Sequence, residues 1–215
     1  MLECEIAGQK LFLLPERAAY WPEAGALFVA DFHLGKAASF RHAGIPMPTG
    51  TTSENVDRLD RAIEKTGARR VVFLGDFLHS AQGRAQQTFD RFSAWRETRN
   101  AVGLTIVRGN HDRKAGDPPA AWRVDCVEPG GALGPFVLNH HPGASHGGYA
   151  LAGHIHPAVR LSASGEKSLR LPCFWFGARY GVLPAFGAFT GNAEVLPRHG
   201  DQVFVIAEQE VLKVA

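Results

Sequence analysis

Short runs of apolar residues, separated by glycine, proline and charged residues, make up most of the chain, and such runs are typical of β-strands joined by turns. Two segments differ, because their apolar residues recur every three to four positions. The apolar positions are Val56, Leu59, Ala62 and Ile63 in residues 52–65, and Phe89, Phe92 and Trp95 in residues 86–99. This spacing predicts two helices, each with one apolar face.

The first of these helices has recognisable end signals. A hydroxyl side chain at Thr51, Thr52 or Ser53 is expected to cap its N-terminus, and Gly67 is expected to end it. Both helices are followed by an apolar strand. The first half of the chain therefore alternates strands with helices, as βαβ units do.

The predicted strands are numerous and short. They lie at residues 4–6, 11–14, 26–30, 71–74, 104–107, 124–127, 136–138, 149–152, 158–161, 169–171, 182–189, 203–207 and 211–214. No helix of any length is expected in the second half. The pattern predicts one α/β domain spanning residues 1–215, with two packed β-sheets and the helices outside them.

Composition narrows the functional classes only a little. The chain has 215 residues, and its 23 basic and 21 acidic side chains are too balanced to indicate a nucleic-acid-binding protein by bulk charge. Cys4, Cys126 and Cys173 form no CxxC pair, so reduced thiols are expected. The N-terminal sequence lacks the basic start and apolar core of a signal peptide, and no apolar run approaches the length of a membrane span. A cytoplasmic protein is the expectation.

Polar residues with metal-binding side chains follow five of the predicted strands. In chain order the motifs are Asp31-Phe32-His33, Gly75-Asp76 with His79, Gly109-Asn110-His111-Asp112, Asn139-His140-His141 and Gly153-His154-Ile155-His156. Ligands of α/β sheets gather beyond the carboxyl ends of the strands, so the five loops are expected to converge. Chance explains any one motif better than metal binding does, but it does not explain all five after apolar strands.

The residue types favour a metal site. Asp, Asn and His supply oxygen and nitrogen ligands without thiolates, a set that suits Mn²⁺, Fe or Zn²⁺ in an expanded coordination shell. There are enough ligands for two ions if one carboxylate bridges them, and two ions about 3.5–4 Å apart can hold both reacting oxygens of a phosphoryl displacement. In DxH and HxH, an extended backbone is expected to point both side chains to the same cluster.

These motifs resemble the signature of the calcineurin-like metallophosphoesterase superfamily, which reads D-x-H, G-D, G-N-H-D/E, a His after a strand, and G-H-x-H. The resemblance implies a sandwich of two mixed β-sheets flanked by α-helices. It implies one metal ion bound by Asp31, His33, Asp76 and His156, and a second bound by Asp76, Asn110, His140 and His154. It also implies that His111 contacts the scissile phosphate or the leaving group and is oriented by Asp112. His140 is preferred to His141 because it lies nearer the end of its strand.

Two further stretches distinguish branches of the superfamily. Residues 75–83, GDFLHSAQG, lack the Asp-Arg pair of the Ser/Thr protein phosphatases and resemble the GDxxH of the nuclease branch, which implies that His79 contacts the substrate phosphate. Residues 171–191, LPCFWFGARYGVLPAFGAFTG, resemble a bacterial group of ligase-associated DNA-damage-response endonucleases, the PdeM type. The expected protein is therefore a phosphodiesterase, a DNA endonuclease in repair. A metal-activated water would attack phosphorus, while His111 and His79 would stabilise charge or protonate the leaving alkoxide.

Substrate and cofactor expectations follow from the same residues. Lys36, Arg41 and Arg113 lie just beyond the motif loops, where they can grip a phosphodiester backbone, although each one alone is more often a solvated surface charge. The expected cofactor is a pair of divalent transition-metal ions, with Mn²⁺ preferred and Fe or Zn as alternatives. The expected partners are DNA or another phosphodiester, together with repair proteins such as a ligase, and no membrane.

Two other functional classes stay open. The first is a small-molecule nucleotide phosphoesterase or phosphatase on the same fold, which would need a closed pocket rather than an open groove. The second is a non-catalytic scaffold, a class that loses ligands. Every ligand position in this chain is occupied, which disfavours the scaffold.

Overall fold

Two β-sheets form the framework of the protein in a computed structural model that describes residues 1–48, 50–162 and 168–215. The strands of the first sheet are Leu2–Ile6 (β1), Gln9–Leu14 (β2), Ala18–Trp21 (β3), Ala26–Val29 (β4), Arg70–Leu74 (β5), Gly103–Val107 (β6) and Val124–Val127 (β7). They lie in sequence order across the sheet. Pairing is antiparallel from β1 to β4 and parallel from β4 to β7, so the sheet is mixed.

The second sheet contains the rest of the strands within the described ranges. They are Gly131–Leu133 (β8), Phe136–Leu138 (β9), Tyr149–Ala152 (β10), Pro157–Leu161 (β11), Leu169–Phe176 (β12), Tyr180–Val182 (β13), Ala193–Glu194 (β14), Gln202–Ala207 (β15) and Glu210–Lys213 (β16). Their order is β14-β11-β12-β13-β10-β9-β8, and β15 pairs with β12 and β16. Parallel pairs of β10 with β9 and β13 occur beside antiparallel pairs, so this sheet is also mixed.

The helices belong to the first half of the chain. They are Lys36–His42 (α1), Thr51–Thr66 (α2), Gln86–Thr98 (α3) and Asn110–Ala115 (α4), with short 3-10 helices at Ala81–Gly83 and Ala120–Trp122. Within the described residues, no helix follows β7.

Side chains alternate between two cores along the central strands, because successive residues of a strand point to opposite faces of its sheet. Val29 and Phe73 pack in one core with apolar residues of α2 and α3. Phe28 and Val72 pack in a second core with Phe136 and other residues of the second sheet. The first sheet is therefore sandwiched between helices on one face and the second sheet on the other.

The predicted fold class, two mixed sheets packed as a sandwich with flanking helices, is confirmed. Both predicted helices are present, and β9 and β10 have the predicted bounds. The prediction of one strand over residues 182–189 is wrong. Its strand ends at Val182, and Ala185 instead forms an isolated bridge with Ala30, which follows a strand of the other sheet. The strands β3, β8 and β14 and the helices α1 and α4 were not predicted.

The N-terminus of α2 differs from the expectation, whereas its C-terminus agrees with it. The helix begins after Gly50, whose φ of 92° is left-handed, and no side chain caps it. The hydroxyl of Thr51 instead donates to the carbonyl of Pro48 at 3.3 Å. Gly67, with φ of 64°, ends the helix as predicted.

The sequence also led us to expect reduced cysteines and no membrane-spanning helix. Cys4, Cys126 and Cys173 are free thiols. Among the helices of the described ranges, none has the length and apolarity needed to cross a bilayer.

Candidate metal centre and active site

The five motif loops converge at one edge of the sandwich. Asp31 and His33 follow β4, Asp76 follows β5, and Asn110 follows β6 at the start of α4. The second sheet contributes His140 after β9 and both His154 and His156 after β10. The candidate ligands therefore come from both sheets, as the positions of the motifs after strands predict.

Two groups of ligand atoms lie side by side in this edge. Asp31, His33 and His156 each place one nitrogen or oxygen within 4.8 Å of the others, and so do Asp31, Asp76 and His140. Both carboxylates are buried, with 0% of Asp31 and 2% of Asp76 exposed. Two buried carboxylates in one group repel each other unless positive charge lies between them. A divalent metal ion bound by both carboxylates would supply that charge.

The hydrogen bonds of His140 test whether these side chains suit a cation. Its Nδ1 lies 3.1 Å from the carbonyl oxygen of Leu74 and donates its proton there. In the neutral ring, Nε2 then presents a lone pair, and it faces Oδ1 of Asn110 at 3.0 Å and Oδ1 of Asp76 at 3.4 Å. Nδ1 of His154 also lies 3.1 Å from this nitrogen. Lone pairs on Nε2 and the two oxygens repel unless a proton or a metal ion lies among them, so this donor set fits a metal ion.

The neighbouring His141 differs from His140 in burial. His140 is completely buried against both carboxylates, whereas His141 is exposed. The ring of His141 nevertheless packs on His154, with centroids 4.1 Å apart, and can join His140 and His154 in one ligand group. Geometry favours His140 as the ligand, because it alone of the pair contacts Asp76.

The backbone of the ligand loops is left-handed, which corrects the expectation of extended DxH and HxH segments. Five candidate ligands have positive φ: Asp31 at 52°, His33 at 49°, Asp76 at 50°, His154 at 71° and His156 at 52°. They are half of the ten non-glycine residues with positive φ in the described ranges. Such values are uncommon outside glycine, although Asp and His tolerate them better than most residues, and they cluster at functional sites.

Two motif glycines explain how the loops can approach one another so closely. A Cβ on Gly75 would lie 2.1 Å from Nδ1 of His140, and a Cβ on Gly109 would lie 2.2 Å from Oδ1 of Asp76. Neither distance is possible for real atoms. The glycines of G-D and G-N-H-D therefore leave room for ligands that belong to other loops.

A cluster of three imidazoles, His33, His79 and His111, lies beside the ligand groups. The rings of His79 and His111 are stacked, with centroids 4.8 Å apart, and Nδ1 of His79 is 3.3 Å from Nδ1 of His33. Burial, together with the charge of Lys36, lowers the pKa of His33 to about 2. Burial and the neighbouring His111 lower the pKa of His79 to about 4. Both rings are therefore neutral at neutral pH, the form in which an imidazole can bind a metal ion or accept a proton.

Within the described residues, the side chain of Asp112 makes no hydrogen bond to the ring of His111, so the expected orientation of His111 by Asp112 does not act through direct contact. The side chain of Asp112 accepts hydrogen bonds from the backbone amides of Leu78 at 2.8 Å, Gly109 at 2.9 Å and Phe77 at 3.3 Å. His111 is held by another loop, because its Nδ1 donates to the carbonyl oxygen of His79 at 2.6 Å. Asp112 therefore ties the loop after β5 to the start of α4, and it acts on the site through the backbone.

The three predicted substrate-binding cations have different surroundings. Lys36 is half-buried beside the site, where burial lowers its pKa and the carboxylates of Asp31 and Asp76 raise it. Arg41 is exposed on α1 and donates to the carbonyl of Pro48 at 3.2 Å. Arg113 is exposed and forms an ion pair with Glu128. Of the three, only Lys36 is brought close to the metal-ligand groups.

One structural contribution to the site was missed by sequence reasoning. Residues 186–191 return to the ligand loops, where Gly187 N–H donates to the carbonyl oxygen of Asp31 at 3.0 Å. Nδ1 of His156 donates to the carbonyl oxygen of Gly191 at 2.8 Å, which leaves Nε2 directed at Asp31, 3.6 Å from Oδ1. The segment has no metal-binding side chain, and its apolar composition predicted a strand.

The chain was compared with known proteins and structures. It is similar to the nuclease MPE of Pseudomonas putida, known from a crystal structure, with 38% identity over 99% of both chains and a TM-score of 0.88. Yfce, a phosphoesterase from E. coli, is 15% identical over 88% of this chain and 98% of that chain, with a TM-score of 0.41. No family model and no curated protein matches the chain.

The fold and the site together define a metallophosphoesterase, a hydrolase that cleaves phosphate esters with the help of divalent metal. The chain belongs to the calcineurin-like metallophosphoesterase superfamily, in the family that includes the Pseudomonas putida nuclease.

Proposed function

We propose that this protein is a two-metal phosphodiesterase that cleaves nucleic acid, specifically a DNA endonuclease. The observation that carries the proposal is the pair of adjoining ligand groups around Asp31 and Asp76, with the stacked imidazoles of His79 and His111 beside them. The choice of nucleic acid rests on the likeness, over nearly the whole chain, to a bacterial nuclease.

The candidate ligands divide into two sets around the carboxylates. Asp31, His33 and His156, with Asp76, would hold one ion, and Asp76, Asn110, His140 and His154 would hold the other. When bound, such ions supply Lewis acidity for the phosphoryl oxygens and lower the pKa of water. Asp76 is suited to serve both sets: burial raises the pKa of its carboxyl, but hydrogen bonding, including that from the backbone N–H of His111 at 2.9 Å, and the surrounding imidazoles lower this pKa to about 2. Its carboxylate is thus ionised at neutral pH.

His111 is the group proposed to act on the ester itself. Because its Nδ1 is tied to the carbonyl of His79, Nε2 is left on the side of Asp76, 3.9 Å from Oδ2. In its protonated form, Nε2–H can donate to a phosphate oxygen or to the leaving alkoxide. His79 stacks on this ring and supplies a second imidazole for the phosphate. Lys36 adds a cation at the same mouth.

An exposed aromatic residue supports a nucleic-acid substrate over a small ester. Ala188 lines a cavity with His33 and Lys36, and the next residue, Phe189, is 53% exposed with φ of 56°. A bulky side chain held exposed in a left-handed conformation is unusual. We propose that a nucleobase of the bound strand stacks on this ring, and base–aromatic stacking does not depend on sequence.

Rates on three substrates test the proposal, with Mn²⁺ as the preferred metal and Fe and Zn²⁺ as comparisons. We expect an aryl phosphodiester to be hydrolysed faster than its monoester and supercoiled plasmid to be nicked without strong sequence preference, because the site offers phosphate contacts rather than base-reading side chains. His111→Ala protein, prepared in parallel, controls for contaminating nuclease. Faster monoester hydrolysis with an intact plasmid would support a small-molecule phosphatase instead.

The cellular setting is part of the proposal. A cytoplasmic enzyme of DNA repair that works with a ligase agrees with the sequence resemblance of residues 171–191. A deletion strain tests this, because it should be sensitive to DNA damage and be rescued by the wild-type gene but not by His111→Ala.

A further inference from the structure

A separate polar cavity of about 470 Å³ lies along α2, and none of the candidate metal ligands lines it. The turn between β2 and β3, the middle of α2 and the end of β15 form its walls. Three arginines line it, Arg17, Arg58 and Arg61. Within the described ranges, none of the three forms an ion pair with a carboxylate.

The acidic residues of this cavity leave an excess of positive charge. Glu16 is buried; one of its carboxylate oxygens pairs with Lys65, and the other has no hydrogen-bond partner within the described residues. Glu208 is exposed in the turn after β15, so the three arginines and Lys65 still outnumber the two carboxylates. Burial, followed by the charges of Arg17 and Arg61, lowers the pKa of Arg58 to about 10. Guanidinium groups that disfavour one another's charge are stabilised by an anion among them.

Two of the arginines are held in fixed positions. One terminal nitrogen of Arg17 donates to the carbonyl of Ala185 at 3.2 Å, and one of Arg58 donates to the carbonyl of Phe186 at 2.6 Å. Arg58 also lies over the ring of Phe186, 5.4 Å from its centroid. Since a guanidinium has five N–H donors, each side chain keeps donors for a ligand, and planar forks of this kind match oxyanions such as phosphate.

We propose that this cavity binds a phosphate group through Arg17, Arg58 and Arg61. Its volume is in the range of small-ligand sites, roughly 300–1,000 Å³. The phosphate can come from a free anion or phosphorylated small molecule, or from the backbone of a strand that also reaches the metal centre. A different cavity, at the metal centre, is lined by Thr51 together with His33. Arg61 is ten residues further along α2 than Thr51, so the two cavities are separated by about 15 Å of helix. The site is proposed independently of the nuclease activity.

Calorimetric titration with inorganic phosphate tests the site in metal-loaded protein. The variant is Arg61→Glu, because Arg61 is exposed and, in the part of the chain that the structure describes, makes no ion pair that the substitution would break. The matched control is Arg70→Glu, an exposed arginine at the start of β5. Phosphate bound at the metal centre is common to all three proteins, so only the difference between the variants reports on the arginine cavity.

Wild type and Arg70→Glu are expected to bind one phosphate more per chain than Arg61→Glu, or to bind it at least tenfold more tightly. The same stoichiometry and affinity in all three proteins would overturn the proposal. Loss of binding in both variants alike would also overturn it, because the effect would then follow from net charge.

A DNA-binding measurement identifies the source of the phosphate. Affinity for an oligonucleotide is measured against salt concentration in the His111→Ala background, where cleavage is not expected. If a strand phosphate enters the cavity, Arg61→Glu should reduce the slope of log K against log salt by about 1, and Arg70→Glu should not. An unchanged slope, with phosphate binding lost, assigns the cavity to a free anion or a phosphorylated small molecule.

Discussion

Replacement of Asp112 by alanine separates a structural role from a catalytic one. The substitution removes the acceptor of three backbone amides, those of Leu78, Gly109 and Phe77, and Asp112 itself is only 4% exposed. A hydrogen bond to a charged group contributes about 1.5–3 kcal/mol. Counting the two shorter bonds fully and the third as weak, we expect a loss of about 3–6 kcal/mol. That is a large part of the roughly 5–15 kcal/mol by which native proteins are stable.

The assay for Asp112→Ala is urea unfolding of metal-loaded protein, combined with metal content and turnover. We expect the unfolding midpoint to fall and metal to be lost with activity, because the amides join the loops that carry Asp76 and Asn110. Asp112→Asn should lie between, since its amide oxygen can still accept. Asp125→Ala, which removes an exposed carboxylate from β7, is the control. An unchanged midpoint and metal content, with only turnover lost, would refute this reasoning and return Asp112 to a role on His111.

The other predictions concern single side chains of the site. Asp76→Asn should lower the amount of bound metal, because Asp76 lies in one ligand group with a second buried carboxylate. Elemental analysis measures this, and full metal content with full turnover would contradict the two-metal assignment. His111→Ala should keep its metal and lose about 10²-fold or more in diester turnover, and metal loss would make it a ligand instead. His79→Ala should also slow diester turnover with metal retained. Phe189→Ala should weaken single-stranded DNA binding by about 1–3 kcal/mol and leave hydrolysis of an aryl diester unchanged; equal effects on both substrates would exclude stacking.

Much of the fold follows from local sequence patterns. The helix predicted over residues 52–65 and the strands β9 and β10 could be found because apolar spacing, short apolar runs and the glycine, proline and polar residues around them are local features. The convergence of the motifs was also predictable, since parallel strands bring their carboxyl ends to one edge. The short helix α4 was missed, because Gly-Asn-His-Asp reads as a turn until the chain is seen to continue as a helix.

The contacts that orient the site could not be predicted, because they join distant segments through backbone atoms. The carbonyl of Leu74 sets the proton on His140, and the carbonyl of His79 sets it on His111. Any residue type supplies such a carbonyl, so no sequence motif marks it. The hydrogen-bond partners of Asp112 could not be predicted for the same reason, since they are backbone amides rather than the adjacent imidazole.

The left-handed backbone at five candidate ligands has a practical consequence for trapping a substrate complex. An alanine at Asp31, His33, Asp76, His154 or His156 removes the ligand and also places a residue poorly suited to positive φ, at a cost of about 1–2 kcal/mol. Loss of activity would then mix two causes. Asparagine or glycine is the better choice at these positions, because both tolerate the conformation. An inactive protein made in this way should keep its loops in place, so that a bound substrate reports on the native arrangement.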